Sequence, residues 1–157
     1  MTNYQLSGEE RLIVELVPLA VEHMGRVLEI ERTCFTEPWS EKDFLKLIRN
    51  PDSICLAALA VGRVIGYSCT WVVIESAELG NIAVDPEFQG RSVGRQLLEQ
   101  TMRLCAARKV TLLFLEVRCS NLRAIELYTR YGFEKIGLRR GYYSRPVEDA
   151  LIMRLEL

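Results

Sequence analysis

Histidine is almost absent from this chain, which has His23 as its one histidine among 157 residues. A metal centre built on histidine ligands is therefore not expected. The five cysteines are an odd number, and none of them belongs to a Cys-x-x-Cys pair. This pattern indicates free thiols in a reducing compartment, with neither a disulfide framework nor a zinc site. We accordingly predict a cytoplasmic protein that needs no metal.

Long apolar runs are absent as well. No uninterrupted run approaches the ~18 residues that a membrane-spanning helix needs. Residues 1–10 lack the basic start and the apolar core of a signal peptide, so we predict a flexible tail there and no membrane partner. With 49% apolar and 26% charged residues, the composition is that of a soluble globular protein, and a single domain is predicted over 1–157.

Neither sign of charge is in clear excess, because the formal net charge is only −1. No overall field attracts nucleic acid, and we expect no direct nucleic-acid partner. From 118 to 145, however, seven Arg and Lys residues are opposed only by Glu126 and Glu134. This stretch is either a solvated basic surface or a region that attracts an anionic cofactor or partner.

Turn residues and apolar periodicity divide the chain into predicted elements in the order β-α-α-β-β-β-α-β-α-β-β. Ser40 and Asp43 have the spacing of a capping box at the start of the second helix. The order predicts an α/β fold, with a mixed central sheet of about seven strands flanked by about four helices. Strands are predicted over 12–17, 54–60, 64–74, 77–84, 110–117, 133–140 and 149–155, and helices over 20–34, from 40 to a stop at 50–52, over 94–108 and over 121–131.

The segment 81–98 is the most informative one. An apolar strand ends at Val84, Asp85-Pro86 breaks it, and an amphipathic helix opens at about Gly94. A helix N-terminus leaves about four backbone N–H groups unpaired, so such a turn can hold a phosphate or a pyrophosphate. Gly90 and Gly94 allow close approach of the backbone because they have no Cβ. An ordinary strand-to-helix connection is the alternative interpretation.

The spacing within this turn distinguishes between phosphate-binding signatures. There is no Gly-Lys-Ser/Thr of a P-loop and no Gly-x-Gly-x-x-Gly that opens a dinucleotide fold. The run Gln89-Gly90-Arg91-Ser92-Val93-Gly94 instead resembles the acetyl-CoA signature of the GNAT acetyltransferases, Gln/Arg-x-x-Gly-x-Gly/Ala. Ser92 stands where that signature has its first glycine. If this position needs a left-handed backbone, cofactor affinity suffers; if it does not, the Ser92 hydroxyl adds a donor.

A second segment supplies candidate catalytic groups. Glu116 interrupts the apolar strand 110–117, where a charged residue is expected to have a partner or a role. It is equally well read as a general base for an ammonium group or as a solvent-facing carboxylate paired with an arginine. Tyr128 lies seven residues after Asn121 and so on about the same helix face. Its phenol is a candidate acid for a leaving thiolate, although these residues alone favour a half-buried core tyrosine.

Nine short segments between about 35 and 153 match one family, namely 38–41, 81–86, 115–118, 120–121, 124–125, 127–128, 132–133, 142–143 and 148–150. On these segments the chain resembles the RimI-type enzymes of the GNAT superfamily. The resemblance implies a GNAT fold and acetyl-CoA as co-substrate. It also implies a protein N-terminus as acceptor, with the N-terminal alanine of ribosomal protein S18 as the expected one.

The same resemblance implies roles at matching positions. Glu116 would be the general base, acting directly or through water, and Tyr128 the general acid for the coenzyme A thiolate. Gly141 departs from the family, which often has asparagine there, and this bears on acceptor specificity. Pro38, Trp39, Tyr142 and Tyr143 would border the peptide groove. The residues that bind acetyl-CoA would be Ile82, Ala83, Val84, Gln89, Gly90, Arg91, Ser92, Val93, Gly94, Arg95 and Asn121.

Two other functions stay open at this point. A GNAT enzyme for a small amine would show several carboxylates in its acceptor site, whereas a peptide groove would be narrow and lined by backbone donors and tyrosines. The other alternative is a regulator that binds coenzyme A without catalysis. The presence of both Glu116 and Tyr128 argues against that regulator, whereas Ser92 keeps it open.

Overall fold

The computed structural model describes residues 11–157, so the tail predicted over 1–10 lies outside the described residues. The predicted order of strands and helices is confirmed. The strands are β1 (Glu15–Pro18), β2 (Ser53–Ala60), β3 (Arg63–Val73), β4 (Ser76–Val84), β5 (Leu112–Arg118), β6 (Glu134–Ser144) and β7 (Val147–Glu156). The helices are α1 (Met24–Cys34), α2 (Glu41–Arg49), α3 (Val93–Ala107) and α4 (Leu122–Arg130), and short 3₁₀ turns precede α1 at Val21–His23 and α3 at Pro86–Phe88.

All seven strands form one mixed sheet in the order β1-β2-β3-β4-β5-β7-β6. Adjacent strands are antiparallel except β4 and β5, which run parallel because the crossover through α3 connects them. The ladder between these two strands ends at the pair Leu79–Leu115. Both strands continue beyond that pair, to Val84 and Arg118. They therefore part and leave a gap in the middle of the sheet.

Each face of the sheet packs its own core. On one face, α3 and α4 pack against β4, β5 and β7 through residues such as Leu98 and Leu113. On the other face, α1 and α2 pack against β2 to β4 through residues such as Val27 and Phe44. Side chains alternate along β5, so Glu116 lies on the opposite face from the buried residues of that strand. Glu116 thereby faces a cavity instead of the α3–α4 core.

Local signals set most of the element boundaries. The predicted capping box at α2 is present, since Ser40 Oγ accepts from the Asp43 N–H at 3.3 Å and the Asp43 carboxylate accepts from the Ser40 N–H at 2.9 Å. Strand β6 is longer than predicted, because it was expected to end at 140 and runs to Ser144. Its ladder with β7 shifts register around Gly141, whose φ is +59°. The strand continues after this irregularity, whereas the sequence pattern around Gly141 predicts that the strand ends there.

All five cysteines are unbridged in the structure. Cys55 on β2 and Cys69 on β3 lie opposite each other in the antiparallel ladder, and Cys69 is fully buried. Among residues 11–157, no helix combines the length and the apolar character that crossing a membrane requires.

Candidate active site

Two cavities meet at the gap between β4 and β5. The first has a volume of about 580 Å³ and is enclosed by the end of β4, the turn before α3, and helix α4. Arg91 does not line it, and the Arg91 guanidinium lies 5.9 Å from the centroid of the Phe88 ring. The other ten residues predicted to bind acetyl-CoA all do, namely Ile82, Ala83, Val84, Gln89, Gly90, Ser92, Val93, Gly94, Arg95 and Asn121.

The turn between β4 and α3 is held by its own side chains. Asp85 caps the 3₁₀ turn by accepting a backbone N–H at 3.0 Å, and the Gln89 amide donates to the Val84 carbonyl at 3.0 Å. Gly90 and Ser92 both have positive φ, of +77° and +64°. The Ser92 position thus requires the left-handed backbone, which is the first of the two alternatives stated for it.

The start of α3 suits an anion. Its first turn contains no acidic residue, and the Ser92 side chain makes no capping hydrogen bond there. Arg95 lines the cavity from α3, and Arg123 and Arg130 line it from α4, where the lining residue Glu126 pairs with Arg130 at 2.8 Å. Free amides, the helix dipole and these cations together favour a pyrophosphate. Sequence reasoning assigned no site role to Arg123 or Arg130, although the basic stretch 118–145 was the signal that contained them.

A small group of residues lines both cavities and marks the place where they join. This junction lies in the gap between β4 and β5, so groups bound in separate cavities can come into contact there. Its residues are Cys34, Phe35, Ile82, Asn121 and Tyr128.

Helix α4 holds Tyr128 at this junction. Asn121 caps the helix by accepting the Ala124 N–H at 3.2 Å, and Tyr128 follows two turns later. The Tyr128 ring packs against Phe133 with 5.6 Å between centroids, and the residue is 6% exposed. Burial raises the pKa of Tyr128 above its ordinary value, and the neighbouring Tyr143 raises it further. The phenol is therefore protonated at neutral pH and able to donate a proton.

The second cavity, of about 590 Å³, lies between the α1–α2 connection, strands β4 and β5, and the β6–β7 hairpin. Five of the residues predicted for catalysis or acceptor binding line it, namely Trp39, Glu116, Tyr128, Tyr142 and Tyr143. Pro38 is exposed and does not line it. Sequence reasoning assigned no site role to several other lining residues, among them Glu31, Glu37, Trp71, Glu78 and Arg118.

Glu116 combines the two interpretations that the sequence left open. Its side chain is 14% exposed, lines the second cavity, and places Oε1 2.9 Å from Nε of Arg139. The Arg139 guanidinium also lies 5.5 Å from the centre of the Tyr142 ring. The carboxylate therefore faces the cavity and is paired with an arginine at the same time.

Glu31 is the most deeply buried charged residue that sequence reasoning missed, being 1% exposed. Its carboxylate accepts from the Trp39 N–H at 2.9 Å, from the Asn81 amide at 2.8 and 2.9 Å, and from the Tyr67 hydroxyl. Burial raises the pKa of Glu31, and these donors oppose the rise. The sequence did contain a signal for this residue, because Glu31 lies four positions after Val27 and so on the buried face of α1. A carboxylate on a buried face needs hydrogen-bond partners.

Arg118 joins the two rims of the second cavity. Its guanidinium donates to the Thr36 hydroxyl in the α1–α2 connection at 3.2 Å. It also donates to the carbonyls of Arg145 and Pro146 in the β6–β7 turn, at 3.2 Å each. The same group lies 4.1 Å from the centre of the Tyr143 ring. One side chain on β5 thus holds both borders of the cavity in place.

Four glutamates line the second cavity, and they differ in their partners. Glu31 has its buried donors, Glu116 has its arginine, and Glu37 accepts from the Ser144 hydroxyl. Glu78 makes no hydrogen bond or ion pair within the part of the chain that the structure describes. Burial raises the pKa of Glu78, the negative charge of Glu116 adds to the rise, and the positive charge of Arg139 opposes it.

Known proteins resemble this chain along most of its length. Residues 24–133 match the acetyltransferase (GNAT) family. The chain belongs to the GNAT acetyltransferase family. It is 42% identical over 141 residues to the ribosomal protein bS18-alanine N-acetyltransferase of Salmonella typhimurium, which covers 88% of this chain and 95% of that relative. The resemblance to RimI-type enzymes is thereby confirmed.

Solved structures agree with this assignment. The crystal structure of the ribosomal-protein-S18-alanine N-acetyltransferase from Escherichia coli has a TM-score of 0.85 and 36% identity, over 92% of this chain and 94% of that one. Arabidopsis thaliana NAA60 in complex with acetyl-CoA has a TM-score of 0.84 at 16% identity, over 92% of this chain and 100% of that one, and shares the fold. The predicted GNAT fold is confirmed.

This GNAT chain is an acetyl-CoA-dependent N-acetyltransferase. The first cavity fits the co-substrate, because free amides and arginines at the start of α3 suit its phosphates and the gap between β4 and β5 leads inward from them. In the range 11–157, no cluster of three or more His, Cys, Asp or Glu side chains could hold a metal ion.

Proposed function

We propose that this chain acetylates the free N-terminal α-amine of a cytoplasmic protein, and that its acceptor is the N-terminal alanine of ribosomal protein S18. The observation that carries the proposal is the junction, where Ile82, Asn121 and Tyr128 border both cavities. An amine that enters through the second cavity meets an acetyl group held in the first. The name and the 42% identity of the Salmonella relative support the alanine acceptor.

The residues predicted to bind acetyl-CoA have distinct roles in this proposal. The N–H groups of the turn from Gly90 to Arg95 hold the pyrophosphate. The backbone of Ile82 to Val84 lies along the acetyl and pantetheine arm, which Asn121 also contacts. The parting of β4 from β5 supports this role, because it frees backbone groups of β4 from strand pairing. One such N–H at the thioester oxygen would stabilise the oxyanion by ~3 kcal/mol.

In the proposed chemistry, Glu116 accepts a proton from the acceptor ammonium, directly or through a water molecule. The free amine then attacks the thioester carbonyl, the carbon–sulfur bond breaks as the nitrogen releases its second proton to solvent, and Tyr128 gives its proton to the departing thiolate and regains one from solvent. The side chain of Arg139 is 56% exposed, so it can release Glu116 when the ammonium arrives. Holding both substrates at the junction supplies much of the acceleration.

Acceptor recognition in this proposal depends on the borders of the second cavity. Trp39 stands on one side and the Tyr142–Tyr143 pair on the other, and Pro38 lies on the exposed outer edge. The tyrosine rings contact each other edge to face, with 5.0 Å between centroids. Such aromatic borders suit an extended peptide that enters between them, amine first.

Intact-mass measurement of acetyl transfer tests the proposal. An S18-like peptide with a free N-terminal alanine would be offered with acetyl-CoA, beside an N-terminally blocked peptide that contains lysine. We expect modification of the free alanine only. Glu116→Gln and Tyr128→Phe should each lower kcat by at least about a hundredfold. Tyr131→Phe is the matched control, because the Tyr131 hydroxyl donates to Glu99 and lines neither cavity.

Glu78 favours a small polyamine as the second candidate acceptor. Its half-buried carboxylate makes no hydrogen bond or ion pair with the described residues, although the charge of Arg139 acts on it, and it would pair with a second ammonium group. Spermidine in the same assay separates the two functions, because faster transfer to spermidine than to the alanine peptide would overturn the proposal. Tight binding of acetyl-CoA with no transfer to any amine would instead indicate the non-catalytic regulator.

A further inference from the structure

Trp71 and Gly80 form a wall of the second cavity that the proposed chemistry does not use. Trp71 lies on β3 and Gly80 on the neighbouring β4. A Cβ built on Gly80 would lie 2.1 Å from Cζ3 and 2.4 Å from Cη2 of Trp71, and 3.1 Å from Cη2 of Trp39. The Trp71 indole therefore fills the space into which a side chain at position 80 would project.

This ring, and not the backbone, is what requires glycine at position 80. The φ of Gly80 is outside the positive range that favours glycine. Leu79 pairs with Thr70 and Asn81 pairs with Cys69, so Gly80 is the extra residue of a β-bulge. Trp71 itself is opposite Glu78 in the ladder, and its ring reaches along β4 to Gly80. The indole thus extends toward the junction.

Trp39 packs against the Trp71 ring. The two indoles have 6.4 Å between centroids and an interplanar angle of 35°. Trp39 is itself held by the hydrogen bond from its N–H to Glu31 and by Phe44, whose ring centroid lies 5.4 Å away. The wall is consequently a packed surface with little freedom to retreat.

The wall lies within reach of an acceptor's first side chain. Gly80 is two residues before the junction residue Ile82, a separation of roughly 6–7 Å along a strand. The Cβ of a first residue is only about 2.5 Å from its own amine. With the amine at the junction, a methyl group fits before the wall, whereas the end of a leucine or methionine side chain meets the indoles.

We propose that the Trp71 indole, seated on Gly80 and supported by Trp39, sets the size limit for the first side chain of the acceptor. Alanine is accepted, and large apolar residues are rejected by contact with the ring. This inference rests on the proposed function, because it takes the acceptor to be a protein N-terminus. One methylene group in an apolar pocket is worth about 10- to 200-fold in discrimination, so a closed wall suffices to exclude leucine.

The test uses peptides that differ only in their first residue, namely alanine, valine or leucine. We expect wild-type kcat/KM to favour alanine over leucine by at least about tenfold. Trp71→Ala should reduce this ratio at least about tenfold by raising kcat/KM for the leucine peptide. A damaged protein would not produce that gain. The double variant Trp71→Ala with Gly80→Phe returns a ring to the same space from the other strand and should restore the preference for alanine.

The outcomes separate this inference from the proposed function. Equal rates of wild type on alanine and leucine peptides would overturn the size limit and leave the proposed function intact. The size limit would also be overturned if Trp71→Ala protein bound acetyl-CoA normally and kept the wild-type ratio of kcat/KM between the alanine and leucine peptides. Transfer by wild type to no peptide N-terminus would overturn the proposed function and the inference with it. If Trp71→Ala does not fold, Trp71→Phe keeps a smaller ring against Gly80, and an unchanged ratio in that variant would equally overturn the inference.

Discussion

The backbone N–H of Trp39 donates a 2.9 Å hydrogen bond to Oε1 of Glu31, a carboxylate buried beneath the second cavity. The amide of Asn81, on β4, donates to the same carboxylate at 2.8 and 2.9 Å. The buried Glu31 carboxylate thus links two segments, namely the α1–α2 connection, which contains Trp39, and strand β4, which borders the gap. Through these two contacts, Glu31 positions one side of the proposed acceptor site without touching the reacting atoms.

Replacing Glu31 tests this positioning. Glu31→Gln keeps the shape but turns one acceptor oxygen into an NH₂ group that faces existing donors. We expect a loss of about 2 kcal/mol in the free energy of unfolding, from buried donors left without acceptors. The acceptor KM should rise severalfold while the Kd of acetyl-CoA stays within twofold. Urea unfolding, steady-state kinetics and calorimetric titration measure the three quantities, and equal losses for both substrates would contradict the positioning role.

The pKa of Glu31 also predicts a pH dependence of stability. Burial raises this pKa above the ordinary value of 4.5, so the folded protein keeps the proton at a higher pH than the unfolded chain does. More protons bound in the folded state mean that stability falls as pH rises from 4.5 through the raised pKa. Glu31→Gln lacks this contribution. The difference in unfolding free energy between wild type and variant should therefore shrink as pH rises across that window, and a difference that grows would be evidence against the assignment.

Arg118→Met should loosen both rims of the second cavity at once. The variant keeps an unbranched side chain but loses the bonds to Thr36, Arg145 and Pro146. We expect the acceptor KM to rise about tenfold, which corresponds to ~1.4 kcal/mol, with little change in acetyl-CoA binding. Arg140→Met is the matched control, since Arg140 is exposed and lines neither cavity. Similar kinetics in the two variants would show that the rim contacts do not matter.

Ser92→Gly should strengthen acetyl-CoA binding. Ser92 is held at φ +64°, a conformation that glycine adopts at no steric cost. We expect Kd to fall about threefold, because the turn adopts its binding-competent conformation more readily. Lys109→Gly provides the control, since Lys109 also has a left-handed φ, of +62°, but lies outside both cavities. Calorimetric titration measures the affinity. Weaker binding by Ser92→Gly would mean that the hydroxyl is itself a ligand contact.

The protonation of Tyr128 predicts the alkaline side of the rate profile. Burial raises the pKa of Tyr128, and burial with neighbouring groups raises that of Tyr143 to about 12. A general acid acts while it is protonated, so a raised pKa extends activity upward in pH. We expect kcat to show no loss attributable to Tyr128 up to about pH 10. A falling limb near pH 9 that disappears in Tyr128→Phe would refute this expectation.

Local features of the chain predict well where the segment proposed to hold the phosphates lies. The Asp85-Pro86 break, the turn up to Gly94 and the amphipathic helix that follows depend on neighbouring residues, and all lie where the pattern indicates. Asn121 and Tyr128 share a helix face because they are seven residues apart, and both line the junction. The relative positions of residues within one helix or strand follow directly from their spacing in the sequence. The catalytic and binding roles of these residues stay predictions until the variants are measured.

The acceptor side depends instead on residues that are distant in sequence. The contacts of Glu31 with Tyr67 and Asn81 span 36 and 50 positions, and Thr36 donates to the carbonyl of Arg145 across 109. Amino-acid order alone specified the fold class, the family and the turn that we propose for the co-substrate. Tertiary structure alone decided where β4 leaves β5, which carboxylate is buried beneath the cavity, and which ring covers Gly80. Each of these depends on the register of neighbouring strands and on the packing of helices over them, which no local pattern encodes.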